Sequence, residues 1–184
     1  MEKQNCFVIT GTVGVGKTTL IDALVKAKGY ALVPEIARAL VQEQLTKGDK
    51  GILPWTSRHG FEELLLERRI KAFVAAPADR ICVCDRGIPE TVAFFRSDGH
   101  VVPERFAAAS REFRYNVAVF VLPPWKEIYQ NRPERPQSFD QALRIGELIV
   151  EAYRELGYET IDVPIGPIDS RLQFVCNTIQ ARWR

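Results

Sequence analysis

With 184 residues, 46% of them hydrophobic and 26% charged, the chain has the make-up of a globular protein long enough to bury most of its apolar surface. A formal net charge of +2 gives little electrostatic reason to expect DNA or RNA as the main partner. No apolar run approaches the roughly 20 residues that span a bilayer, and "MEKQNCFVIT" lacks the apolar core and cleavage site of a leader, so a cytoplasmic protein without a membrane partner is expected.

The first expected element is a buried strand, "NCFVIT", and it runs into "GTVGVGKTT", Gly11 to Thr19. Gly11 to Thr18 fits G-x-x-x-x-G-K-[ST], the loop that cradles nucleotide phosphates between a strand and a helix. Gly11 and Gly16 permit backbone conformations that turn consecutive N–H groups toward anionic oxygens, and Gly14 adds freedom. Lys17 is placed to reach the β- and γ-phosphates, and the Thr18 hydroxyl to ligate magnesium. Thr12, Val13, Val15 and Thr19 complete the stretch expected to line the nucleotide. The helix that follows points its positive end at the same anion.

A second strand, "YALV", leads into "VPEIAR", where Glu35 and Arg38 stand at i, i+3 and share one face if the segment is helical. Glu35 is a candidate to orient or deprotonate an acceptor hydroxyl, and Arg38 to hold the acceptor's polar or anionic part. The same two residues also make a common surface pair near a helix start. "TKGDKGILPW" reads as a loop, followed by Trp55, His59 and Phe61 as candidates to stack on an acceptor. Leu66, Ile70, Phe73 and Val74 then recur at helical spacing.

The third strand, "RICVC", is followed directly by Asp85 and Arg86. Asp85 is a candidate for the magnesium shell, and the alternative is a structural Asp–Arg pair at a strand end. Cys82 and Cys84 fall on one strand face, and with Cys6 and Cys176 they read as reduced core thiols rather than a zinc site. "NVAVFVL" is the fourth strand, and the proline-stiffened "NRPERPQS" carries Arg132 and Arg135, candidates to cover the phosphates. "SFDQ" reads as a capping box opening a helix with Ala142, Ile145, Ile149, Tyr153 and Leu156 on its apolar face. "YETIDV" is the last strand, and Leu172, Val175, Ile179 and Trp183 mark a last helix.

Five strands alternating with helices predict one α/β domain over residues 1–184, a parallel sheet with helices on both faces. Ligands of such sheets bind beyond the carboxyl ends of the strands. A motor or assembly ATPase usually needs a second carboxylate after Asp85, where Arg86 stands, and neither an N-K-x-D guanine reader nor an L-S-G-G-Q stretch occurs. The expectation is an ATP- and magnesium-dependent kinase of a small, hydroxyl-bearing or phosphorylated, nucleoside-like acceptor. Its rivals are an ATPase that drives a partner protein and a nucleotide-responsive binding module. Oligomeric state is left open.

"GTVGVGKTTL", "VPEIAR", "VCDRG", "RPERPQSFDQA" and "AYRELGYETIDVP" together resemble the small P-loop ATPases of the AAA-domain group related to nicotinamide riboside kinase domains. The resemblance implies a three-layer P-loop NTPase fold with strand order 2-3-1-4-5, and ATP and Mg2+ as ligands. Deoxynucleoside kinases, similar in layout, place a catalytic carboxylate after the second strand and an arginine motif after the third. By that analogy Glu35 is the base and Arg86 a phosphate or acceptor contact. The analogy also suggests that the loop from Pro164 to Arg171 touches the adenine. One departure is Asn131, where relatives tend to carry an acidic residue.

Overall fold

Alternate side chains of β1 (Cys6–Gly11) divide between two cores: Cys6 and Val8 enter one, Phe7 and Ile9 the other. A strand buried on both faces belongs in the middle of a sheet covered on both sides. The structure, a computed structural model, describes residues 1–128 and 138–183 and shows that arrangement. β1 pairs in parallel with β3 (Cys82–Asp85) on one side and with β4 (Ala118–Leu122) on the other. β2 (Ala31–Val33) and β5 (Glu159–Asp162) close the edges, giving the order β2-β3-β1-β4-β5.

Each parallel connection is a helical crossover. Helices α1 (Lys17–Lys28) and α7 (Ile168–Arg182) cover one face, where Leu20, Leu24, Val175 and Ile179 meet Phe7 and Phe120. On the other face, α3 (Arg58–Ala75), α4 (Glu90–Ser97), α5 (Glu104–Glu112) and α6 (Phe139–Glu155) bury Phe73, Phe95, Phe106 and Tyr153. Helix α2 (Ile36–Leu45) packs Leu40 against Phe61 and Leu65 of α3 in a smaller third cluster. Ser138 accepts from the Gln141 amide, and the Gln141 side chain accepts from the Ser138 amide, so α6 opens on the expected capping box.

Several expectations meet corrections here. Only β1, β3 and β4 are buried on both faces; β2 and β5 are edge strands, and Leu32 is exposed. Val74 points to solvent, because the apolar stripe of α3 runs through Leu66 and Phe73 and leaves it on the outer side. The segment before Trp55 contains a single 3-10 turn, Gly48–Lys50. The cysteines, by contrast, need no correction: all four are free and buried, and Cys6, Cys82 and Cys84 share one core.

The end of β1 passes so close to β4 that side-chain bulk is excluded. Gly11 has φ 132, and a Cβ there would sit 2.4 Å from the Leu122 carbonyl oxygen. Gly99, with φ 73, has open space around it. Gly99→Ala is therefore expected to cost about 1 kcal/mol, the backbone penalty alone. Gly11→Ala should cost clearly more, because β4 backbone has to move. Urea denaturation of the two variants checks this, and equal losses would contradict the close approach.

Candidate active site

Beyond the carboxyl end of β1, Gly11, Gly14 and Gly16 all adopt positive φ, which carries the chain around a tight loop into α1. Gly16 caps α1 with no side-chain hydrogen bond, so the first amides of the helix have no side-chain acceptor. Lys17 is buried, and its Nζ donates to the carbonyls of Gly11 (2.9 Å) and Thr12 (2.6 Å), holding the ammonium across the loop. Burial, reinforced by the Arg86 charge, pushes its pKa down to about 7 against the pull of Asp85, Glu90 and Glu35. Val15 is core, Val13 is half-buried, and Thr18 and Thr19 are exposed. Thr12 packs beside α6, where a Cβ on Gly146 would meet its methyl at 3.2 Å, and its Oγ1 is buried without a partner among the described residues.

At the end of β3 the chain turns through Arg86, the one non-glycine residue with positive φ among the described residues (φ 76). That backbone costs on the order of 1–2 kcal/mol, and the surroundings over-determine it. Its amide donates to the Ile9 carbonyl. Its guanidinium, buried, donates through Nε to Glu35 Oε1 at 3.2 Å and through Nη1 to Glu90 Oε2. Burial alone would lower its pKa, but Glu90 and Glu35 outweigh that and raise it. Glu90 is fully buried and accepts from Thr10 Oγ1 at 2.5 Å. The Gly87 amide and Tyr153 hydroxyl add longer contacts of 3.4 Å. Behind this group Arg69 donates to Thr91 at 3.0 Å.

Glu35 caps the start of α2 and is shared. Arg86 holds it from inside, and the exposed Arg38 lies 3.7 Å away on the outside. Burial works to raise its pKa, yet Arg86, Lys17 and Arg38 prevail and hold the carboxyl below its ordinary range. Asp85 takes no part in an Asp85–Arg86 ion pair; its Oδ1 is buried and has no partner among the described residues. Burial holds its carboxyl above the ordinary range despite Lys17. Asp85, Glu35, Arg38 and Thr18 line one cleft of about 190 Å3, and Asp85, Arg86 and Arg69 line a small cavity of about 10 Å3 beside it.

The structure thus brings Lys17, Thr18, Glu35, Asp85 and Arg86 to one end of the sheet. Arg132 and Arg135, like Asn131, lie outside the described residues. Trp55 is 67% exposed, Phe61 is buried in the α2–α3 cluster, and His59 packs edge-on to Phe95 and Phe106, so none of the three lines the cavities at the strand ends. From the Pro164–Arg171 stretch, Arg171 reaches the loop, donating to the Val15 carbonyl at 3.1 Å. Sequence reading missed Glu90 and Thr10. The only local signal was Glu90 standing four residues after Arg86, and it is meaningful only once α4 is known to begin there. Because Glu90 is sealed against a buried cation, Glu90→Ala should cost about 3–5 kcal/mol of stability. Glu35→Ala, at a partly open position, should cost no more than about 1 kcal/mol. Chemical denaturation separates the two, and comparable losses would show that Glu90 does not anchor Arg86.

Similar folds are found among solved structures. Deoxyadenosine kinase from M. mycoides with bound dCTP superposes with a TM-score of 0.68 at 16% identity, over 96% of this chain and 99% of that one. Thymidylate kinase from Candida albicans gives 0.69 at 14% identity, over 96% and 91%. Thymidylate kinase from Ehrlichia chaffeensis gives 0.62 at 16% identity, over 95% and 98%. The shared feature is the five-stranded parallel P-loop fold. A search of curated proteins finds no match by sequence. A family model described as an AAA domain matches residues 6–171, nearly the whole chain, and the protein belongs to that AAA-domain family.

Proposed function

We propose that residues 1–184 act as one P-loop unit, an ATP- and magnesium-dependent phosphotransferase for a small, nucleoside-like acceptor that presents a hydroxyl. The observation that carries this reading is Glu35, held by buried Arg86 and facing the same cleft as Asp85 and Thr18. A carboxylate fixed at the acceptor end, next to an uncapped helix start, suits transfer to a bound hydroxyl.

Magnesium fits the residues present. Asp85 brings a buried carboxylate oxygen that no described residue partners, and Thr18 an exposed hydroxyl in the same cleft. Bound there, the ion would supply charge neutralisation of the polyphosphate. In this reading Gly11 to Thr19 bind the donor through backbone amides and Lys17. Glu35, ionised at neutral pH, orients the acceptor hydroxyl and takes its proton, and Arg86 keeps that carboxylate in place. Arg38 stands at the cleft rim, where it can meet a polar part of the acceptor.

Arg86 is already balanced by two carboxylates, which favours a neutral hydroxyl at this position over a phosphate. The fold likeness to deoxyadenosine and thymidylate kinases supports the nucleoside-like class, of which a riboside such as that of nicotinamide is one member. No helix among the described residues is long and apolar enough to cross a membrane, and four free cysteines suit a reducing cytoplasm.

Mass spectrometry of a metabolite pool incubated with ATP should reveal a species that gains a phosphoryl group, and Lys17→Ala should abolish it. With that acceptor, Glu35→Gln should lower turnover about 10²- to 10⁴-fold while MgATP affinity stays near wild type. Robust ATP hydrolysis with no phosphorylated product would favour an ATPase instead.

A further inference from the structure

Besides Arg69, which donates to Thr91, the protein buries the guanidiniums of Arg86 and Arg171 at this end of the sheet, and these two are treated very differently. Arg86 is met by Glu90 and Glu35. Arg171, in the first turn of α7, is only 6% exposed, and no described carboxylate lies within ion-pairing distance of it. Among the described residues, its side chain donates only from Nη2 to the neutral carbonyl of Val15, and its buried Nε meets no acceptor. Burial without a counter-charge lowers its pKa from the ordinary arginine value. Such a charge is costly in the empty protein and becomes favourable when an anion arrives beside it.

The place where it is buried indicates which anion. Nη1 lies 3.1 Å from where a Cβ on Gly16 would stand, so the guanidinium rests against the last turn of the phosphate loop, and the absence of a side chain at Gly16 leaves room for it. Val15 to Lys17 is the stretch whose amides open α1. Val15 itself is core, so its carbonyl is fixed from below by packing and from outside by Arg171.

We propose that Arg171 is a positioning residue of the donor site, bracing the Val15 carbonyl so that the following amides keep their direction and supplying a positive charge that bound polyphosphate answers. This rests on the donor-site reading of Gly11 to Thr19. It ties nucleotide binding to α7, which packs along α1 through Val175, Ile179, Leu20 and Leu24. The ligand chemistry it serves is the polyphosphate chain rather than the base.

The test compares wild type with Arg171→Met and Arg171→Lys, by calorimetric titration with MgATP and with magnesium tripolyphosphate, and by melting without ligand. Arg171→Met should weaken both ligands by the same factor, about 10- to 100-fold, the value of losing a charged hydrogen bond. Its ligand-free melting temperature should equal or exceed that of wild type, since an uncompensated buried charge is gone. Arg171→Lys should recover most of the affinity.

A lower melting temperature with unchanged affinity would make Arg171 a structural prop and overturn the proposal. A loss for MgATP that spares tripolyphosphate would also overturn it, by assigning Arg171 to the base. Should Arg171→Met not fold, Arg171→Gln provides the neutral variant and the same comparison applies. If wild type binds neither ligand, the donor reading itself fails; if wild type binds and the neutral variant binds equally well, only the Arg171 proposal fails.

Discussion

The geometry at the strand ends depends on one buried cation, the Arg86 guanidinium, clasped between Glu90 of α4 and Glu35 at the start of α2. Through Glu90 the clasp continues to Thr10 of β1, so two adjacent strands and two helices meet in one hydrogen-bonded group. Taking three charges out of water is costly, and the gain lies less in net stability than in specifying one arrangement. Every lone pair left open in such a group would add to the cost, which is why Thr10, Gly87 and Tyr153 also converge on Glu90. The left-handed backbone of Arg86 is the local cost of aiming its side chain at both carboxylates.

That clasp works because the sheet delivers its parts in register. Ile9 stands beside Asp85, and Gly11 beside Leu122, so β3 turns away just before β1 does and the phosphate loop begins where β4 stops. Parallel pairing forces each return to cross by a helix, and the helices that start at this end bring their N-termini to it. The two cores then hold the platform rigid from both sides, with aromatic rings such as Phe7 against Phe120 on one face.

What could be read from the sequence was what is local. The phosphate loop, the capping box at Ser138 and the apolar strands are each specified within a few residues, and the structure shows all of them. Edge position is not local, and so β2 and β5 read as buried runs although one side of each lacks a partner strand. The α4 and α5 helices, of 8 and 9 residues, are too short to show a clear period. Asp85 and Arg86 are adjacent in the chain, so a structural pair stands as the alternative to a magnesium role for Asp85. The turn at Arg86 instead sends its guanidinium to Glu35 and Glu90, and Asp85 Oδ1 meets no partner among the described residues. Glu90 and Thr10 are 80 residues apart, and Arg171 and Val15 are 156 apart, so nothing in either neighbourhood signals the contact.

The difference between buried Arg86 and buried Arg171 gives the site a direction. On the Glu35 side the positive charge is neutralised before any ligand binds, so a second anion entering there would meet two carboxylates and little attraction. On the α1 side Lys17 and Arg171 are buried with carbonyl oxygens as their hydrogen-bond acceptors, so in the donor-site reading proposed above a polyphosphate would supply the counter-charge there. Asp85 lines both cavities at the strand ends, with an oxygen that no described group satisfies. Under the donor and acceptor roles proposed above, the anionic donor and the neutral acceptor would meet oppositely charged surroundings, and that separation of charge would orient both before any bond is broken.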